Sequence, residues 1–234
     1  PKRADAASLV SAARRSGCSM IASTYNEPLI STEWAATIFR TAKEAGLRTC
    51  MVSNGFATPE ALAYLGEHLD AMNVDLKCYS EEGYRTLGGR LQPVCETIAA
   101  LWASGIWVEV ITLVVPGFND SEAELRAAAE FLVGISPDVP WHVSAYHADY
   151  RMSQGPAVTP RESLERARDI GEAVGLRYVY IGNVARPSRG MDTVCPRCGT
   201  VVISRGNTEG AHSRLKDGGG CPRCGARVAG VWSV

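Results

Sequence analysis

The chain has 234 residues, 24 Lys or Arg against 25 Asp or Glu, and 46% apolar residues. That length holds one large domain and a small module, with ample apolar content for a core. No apolar run approaches the ~20 residues of a membrane span and no signal-peptide pattern opens the chain, which sets aside membrane-embedded and disulfide-built secreted classes and leads us to expect a cytoplasmic location. The charge is uneven: residues 186–234 carry eight basic and three acidic side chains, residues 1–185 carry 16 and 22. So mild a basic excess reads as solvated surface rather than as a nucleic-acid footprint.

Short apolar runs alternate with helical stretches along residues 1–185. A helix is expected over 4–16. Strand 19–24 and helix 32–45 follow, then strand 48–53 and helix 59–68, then strand 71–76 and helix 93–104. Next come strand 107–115 and helix 121–133, the latter behind a cap at Asn119-Asp120-Ser121. Strand 141–146, helix 160–174 and strand 177–181 complete the run. Gly46, Gly105 and Gly175 stand at helix ends just before strands, where a left-handed residue closes a helix. Such alternation predicts parallel strands with right-handed crossovers. The expected fold is α/β, a partial (βα) barrel of about six parallel strands. Because the chain opens on a helix, the element in front of it is expected to be missing.

The C-terminal segment is different in kind. Cys195-Pro-Arg-Cys198-Gly and Cys221-Pro-Arg-Cys224-Gly are paired knuckles separated by 22 residues. Pro and Arg between the sulfurs, with Gly after the second, form a turn that aims backbone amides at the thiolates. Four thiolates in a closed tetrahedron suit structural zinc, with a rubredoxin-type iron centre as the alternative. Short strands are expected at 201–203 and 228–232. Residues 1–185 are thus expected to form the barrel and 190–234 a four-cysteine zinc-ribbon module. Cys18, Cys50, Cys78 and Cys95 are single and widely spaced.

In folds of this kind ligands sit at the carboxyl ends of the strands. There the polar residues gather: Thr24-Tyr25-Asn26-Glu27-Pro28, Ser53-Asn54-Gly55, Asn73-Val-Asp75-Leu-Lys77, Val115-Pro116-Gly117-Phe118-Asn119-Asp120, Tyr146-His147-Ala-Asp149-Tyr150 and Gly182-Asn183. Each has a plainer reading. Glu27 caps the next helix, Asn54-Gly55 is a turn, and Asp75 with Lys77 forms a surface ion pair on one strand face. His142 reads as a core histidine, His68 as helix surface and His212 as ribbon loop. Glu109, inside an apolar strand, requires a partner. Six strand ends in register describe a polar pocket.

The motifs Tyr-Asn-Glu-Pro, Ser-Asn-Gly, Asp-Leu-Lys and Val-Pro-Gly-Phe-Asn-Asp, in that order, resemble radical S-adenosylmethionine (SAM) enzymes of the glycyl-radical activating class. Pro140-Trp-His-Val-Ser, Tyr178-Val-Tyr-Ile-Gly-Asn183 and the ribbon ending Gly230-Val-Trp232 look like the AmmeMemoRadiSam system radical SAM family. The resemblance implies a [4Fe-4S] cluster with one open iron that binds SAM and splits it reductively. The resulting 5'-deoxyadenosyl radical would take hydrogen from a substrate, a protein among the candidates. Carried over by position, Tyr25, Asn26 and Glu27 would meet the SAM amino group. Asn54, Asp75 and Lys77 would contact ribose and carboxylate, and Val115, Gly117 and His147 would flank the adenosine. Memo-like and AMMECR1-like proteins and an electron donor are the implied partners.

The class holds its cluster with Cys-x3-Cys-x2-Cys, and this sequence contains no such motif. The missing element and the missing motif are expected to be one segment upstream of Pro1, without which this chain is expected to be inactive. Two other readings stand beside the resemblance. Lys77 suits a Schiff-base lyase, and a noncatalytic barrel could use its ribbon for partner or nucleic-acid binding.

Overall fold

The computed structural model describes residues 4–149, 155–184, 189–207 and 210–232. Tyr150 and the expected module boundary at residue 185 lie outside them. Six strands form one sheet in chain order: β1 (Met20–Ser23), β2 (Arg48–Ser53), β3 (Ala71–Asp75), β4 (Trp107–Val114), β5 (Trp141–Ala145) and β6 (Val179–Gly182). The pairings of β1 with β2, β2 with β3, β4 with β5, and β5 with β6 are parallel, as the alternation required. Seven helices accompany them among the described residues: α1 (Ala6–Arg15), α2 (Thr32–Glu44), α3 (Pro59–Gly66), α4 (Glu81–Thr86), α5 (Leu91–Ala103), α6 (Glu122–Ile135) and α7 (Arg161–Val174).

The chain divides into two compact units. The first runs to Leu76 and adds Arg90–Glu109. Its helices start where local chemistry allows. Asp5 and Ser8 form a reciprocal capping box on α1, and Thr58 caps α3 with Pro59 in the first turn. The expected helix over 93–104 begins two residues earlier, at Leu91. That puts Pro93 in the first turn, where its missing N–H costs no helical bond. On α2, Ala35, Ala36, Ile38, Phe39 and Ala42 form the buried stripe. Phe39 is fully buried, a contribution of about 2–3 kcal/mol.

The strands of this unit have unequal faces. Thr49, Met51, Met72, Val74 and Val108 are buried, whereas Cys50, Val52, Asn73, Asp75 and Glu109 on the opposite face are half-buried. A parallel sheet covered on both sides is normally apolar throughout; here one face keeps polar groups. At the other end of the strands Asp70 ties the layers together. Its carboxylate accepts from Lys43 (2.6 Å), Arg48 (3.2 Å) and the Thr49 N–H (2.8 Å).

The second unit comprises Lys77–Gly89 and the chain from Val110 onward. Trp141, fully buried, anchors its core, and the indole N–H donates to Thr112 Oγ1 at 2.9 Å. Trp141, Val143, Val179 and Ile181 are buried, while His142, Ser144, Tyr180 and Gly182 form the half-buried face. The last strand begins at Val179 rather than 177. The Arg177 backbone N–H instead donates to the Pro137 carbonyl, and its guanidinium grips Asp138 at 3.0 and 3.1 Å.

The ribbon is a three-stranded antiparallel sheet, β7 (Thr193–Val194), β8 (Val201–Asn207) and β9 (Gly210–Ser213). His212 therefore lies in a strand, not a loop. The strand expected at 228–232 does not form. Trp232 folds back, its indole donating to the Val228 carbonyl at 2.8 Å. Its ring lies so close to Gly219 that a Cβ there would stand 2.1 Å from it. Tyr178 shares one core with Cys195, Val202, Ile203, Cys221 and Val228, and its hydroxyl accepts the Ala229 N–H at 3.1 Å.

Candidate cofactor site and metal centre

In the first unit, Glu27 organises the ends of β1 and β2. Its carboxylate accepts from the Leu29 N–H (3.0 Å), capping the short 3-10 turn Pro28–Ser31, and from Ser53 Oγ (2.7 Å) and the Asn54 N–H (2.7 Å). The capping reading of Glu27 is realised at this 3-10 turn, and the same carboxylate ties the end of β1 to the end of β2. Asn54 forms the turn as well, accepting the Phe56 N–H at 2.8 Å. Gly55, at φ +70°, closes it, because a Cβ would meet Val74 Cγ1 at 2.5 Å. Tyr25, at φ +44° and 89% exposed, and Asn26 stand beside this clasp at the end of β1. Asp75 ends β3. Asn73, one step back on the same face, holds its Oδ1 buried with no hydrogen-bond partner among the described residues. Glu109 has the partner its position demanded, the Trp107 indole N–H at 3.0 Å.

In the second unit, Asn119 does for the loops what Glu27 does in the first. Only 1% exposed, it accepts the Val115 N–H (2.7 Å) and donates through Nδ2 to the carbonyls of Lys77 (2.6 Å) and Leu113 (2.8 Å). Expected as a helix cap, Asn119 instead joins Lys77 to the loop after β4. Ser121 caps α6, accepting the Glu124 N–H at 3.2 Å. Asp120 accepts the Gly117 N–H at 2.9 Å, which closes the Val115–Gly117 turn. Lys77 lies past the end of β3, and its N–H donates to the Tyr84 hydroxyl. His147, exposed, places Nε2 at 3.1 Å from the Asn183 carbonyl. Asn183, at φ +56°, donates back to the Ala145 carbonyl. The Tyr146 hydroxyl is buried without a partner among the described residues. Asn73, Asn119 and Tyr146 were not among the expected contacts. Their one signal in the sequence is their place in the polar runs at the strand ends.

His142, expected in the core, is half-buried and stacks on Tyr180 with ring centres 5.0 Å apart. His68 lies in the turn after α3 and lines a cavity of about 210 Å³ with Arg40, Tyr64 and Glu67, outside the strand ends.

The four knuckle cysteines converge. Their sulfurs all lie within 4.8 Å of one another, with Cys195 and Cys224 at 3.6 Å and Cys198 and Cys221 at 3.7 Å. Sulfurs about 2.3 Å from a central ion in a tetrahedron stand about 3.8 Å apart, so the spacing fits a metal. The two knuckles are built alike. Cys195 N–H donates to the Thr200 carbonyl and Cys221 N–H to that of Ala226, both at 2.8 Å. The Thr200 hydroxyl and backbone N–H hold the Cys198 thiol down at about 6. The Cys224 backbone N–H lowers Cys221. The Ala226 N–H also favours the Cys224 thiolate, but desolvation and the three neighbouring sulfurs outweigh it and push that thiol up to about 11. Four thiolates packed this closely require a cation to ionise together. Among the described residues this is the one cluster of three or more Cys, His, Asp or Glu with metal-binding geometry.

Residues 3–129, just over half of the chain, match the family model of the radical SAM superfamily. The chain belongs to the radical SAM superfamily. Among relatives, an uncharacterized protein of Methanocaldococcus jannaschii is 37% identical over 198 residues, 84% of this chain and 58% of that protein. The radical SAM chain thus spans less than two thirds of that relative's length. The pyruvate formate-lyase 1-activating enzyme of Escherichia coli K12 is 24% identical over 66% of this chain and 68% of its own. In fold, a domain of the pyruvate-formate lyase-activating enzyme from Bacteroides vulgatus superposes with a TM-score of 0.60 at 16% identity, over 70% of this chain and 98% of that one. No helix among the described residues is long and apolar enough to cross a membrane.

Proposed function

We propose that this chain is the SAM-binding part of a radical SAM enzyme of the activating-enzyme kind, within the AmmeMemoRadiSam family. The observation that carries the reading is the superfamily match across residues 3–129, which contain the strand ends with Glu27, Asn54, Asp75, Lys77 and Gly117. SAM is an amino acid joined to a nucleoside, and the donor set suits both ends. Tyr25, Asn26 and Glu27 meet its amino group. Asn54, Asp75 and Lys77 take ribose and carboxylate, Lys77 as a point charge. Val115, Gly117 and His147 flank the adenosine. Asn73 Oδ1 and the Tyr146 hydroxyl, buried without partners among the described residues, are polar atoms that a ligand would satisfy.

The superfamily's [4Fe-4S] cluster, when bound, supplies the electron that splits SAM. The residues here do not fit it. Cys18, Cys50, Cys78 and Cys95 do not converge among the described residues, and the knuckles close a tetrahedron with no open position. We assign its ligands to sequence outside these 234 residues. The knuckles we assign to structural zinc in a ribbon module over 190–234. The substrate, an electron donor and Memo-like and AMMECR1-like proteins are the proposed partners, in the cytoplasm. A Schiff-base role for Lys77 and a noncatalytic barrel are not favoured beside the superfamily match.

Two measurements test the proposal. Calorimetry of this chain with SAM is expected to give one-site binding, and anaerobic reconstitution of the longer protein with iron, sulfide and dithionite is expected to release 5'-deoxyadenosine. No SAM binding by the chain together with no deoxyadenosine from the longer protein overturns it.

A further inference from the structure

The ribbon brings a cation onto the half-buried face of β5 and β6. His142 and Tyr180 are register partners on that face. Arg205, half-buried on β8, sets its guanidinium 5.2 Å from the centre of the Tyr180 ring, and Tyr180 stacks on His142. One guanidinium nitrogen, Nη1, donates to the Met191 carbonyl (3.1 Å) and to Thr193 Oγ1 (2.8 Å). The Thr193 hydroxyl also bonds Tyr180 Oη at 2.9 Å. The backbone N–H of Arg205 donates to Asp192 Oδ1. Ring and Nη1 together hold the guanidinium plane in place. Among the described residues no carboxylate forms an ion pair with it, and its Nε and Nη2 have no hydrogen-bond partner.

A half-buried guanidinium with no ion-pair partner among the described residues is costly to keep. The unused Nε–Nη2 edge is a fork that matches two oxygens of a carboxylate or a phosphate. The Asp192 carboxylate is engaged by the Arg205 backbone N–H and forms no ion pair with the guanidinium, and the Met191 carbonyl and the Thr193 hydroxyl that hold Nη1 carry no charge. We propose that Arg205, braced by Tyr180 and Thr193, is the anion-recognising element of the substrate site. It would take a carboxylate or phosphate group of the substrate beside His142. The ribbon then supplies part of the substrate wall as well as holding a metal. This inference rests on the radical SAM reading of that sheet face.

The test uses the full, metal-loaded chain with inorganic phosphate and with acetate as probes. Side-chain Nε–H resonances of arginine are followed by NMR, with the Arg205 signal identified by its loss in Arg205→Lys. A saturable shift of that signal is expected, larger than that of the exposed Arg126. Binding should weaken about tenfold or more in Arg205→Lys, which keeps the charge but loses the fork. A stronger response to phosphate points to a phosphorylated substrate, and a stronger response to acetate to a carboxylate. An Arg205 signal that moves no more than Arg126 with either anion overturns the inference, and the shift itself is read on the unsubstituted chain. SAM calorimetry on the same sample separates the two proposals. SAM binding without an Arg205 response sinks the anion site alone. An Arg205 response without SAM binding supports the anion site and, joined by no 5'-deoxyadenosine from the longer protein, sinks the SAM-binding proposal alone.

Discussion

Replacing Asn119 by Ala is expected to be the most damaging single polar change in the second unit. The amide makes three hydrogen bonds from a position 1% exposed, to the Val115 N–H and to the Lys77 and Leu113 carbonyls. Truncation leaves one donor and two acceptors without their partner. Each such group costs about 1 kcal/mol at the low end of the observed range, so the loss should be about 3 kcal/mol. Asn119→Asp keeps the acceptor for Val115 but turns the Nδ2 donor into an oxygen facing two carbonyl oxygens, and should lose at least as much. Urea unfolding followed by far-UV circular dichroism measures both variants. The same loss should release Lys77 and the Val115–Gly117 turn, so calorimetric SAM affinity should fall by about tenfold or more, in keeping with the free energy above. A stability loss below about 1 kcal/mol with unchanged SAM affinity would refute the reasoning, because water would then be replacing the amide at no cost.

Three further outcomes are expected. Lys77→Ala should weaken SAM binding sharply in calorimetry; unchanged affinity removes Lys77 from the site. The Asp70 carboxyl is held below its ordinary value of 3.8; desolvation opposes this, and the bonds from Lys43, Thr49 and Arg48 outweigh it. Its contribution, roughly 1–2 kcal/mol after solvent screening, is therefore present above the unfolded carboxyl's pKa and is lost as pH falls through the lower folded value. Asp70→Asn should accordingly lower stability at pH 7 and flatten the acid limb of the stability–pH curve below about 4, and an unaltered acid limb would contradict this. Mercurial treatment of the purified chain should release about one zinc per chain, and Cys221→Ser should lose most of it together with the packing of Tyr178, which shares the ligands' core; iron instead of zinc in elemental analysis would reassign the metal.

Much of this protein is written locally. Strand and helix periods, the cap at Thr58 and the glycines at 46, 105 and 175 each depend on a few neighbouring residues, so the succession of six strands and their parallel pairing were legible from alternation. The knuckles were legible for the same reason: two four-residue turns bring each sulfur pair together before any tertiary contact forms. Errors fell where distant contacts decide. Arg177 is drawn out of β6 by Asp138, 39 residues away. Residues 228–232 give up a strand because Trp232 packs on Gly219.

The candidate site shows the same division. Which residue types stand at the strand ends follows from sequence. What they do there follows from approach in space. Glu27 reaches Ser53 and Asn54 across 26 and 27 residues, and Asn119 reaches Lys77 across 42. No periodicity encodes such distances. The half-buried polar residues, Asn73 and Glu109 in the first unit and His142 and Tyr180 in the second, and the arrival of Arg205 on Tyr180, exist only once each unit has packed. The alternation of side chains dictated that each strand would have two faces. Packing alone decided which of them stayed half-buried with its polar groups and which became core.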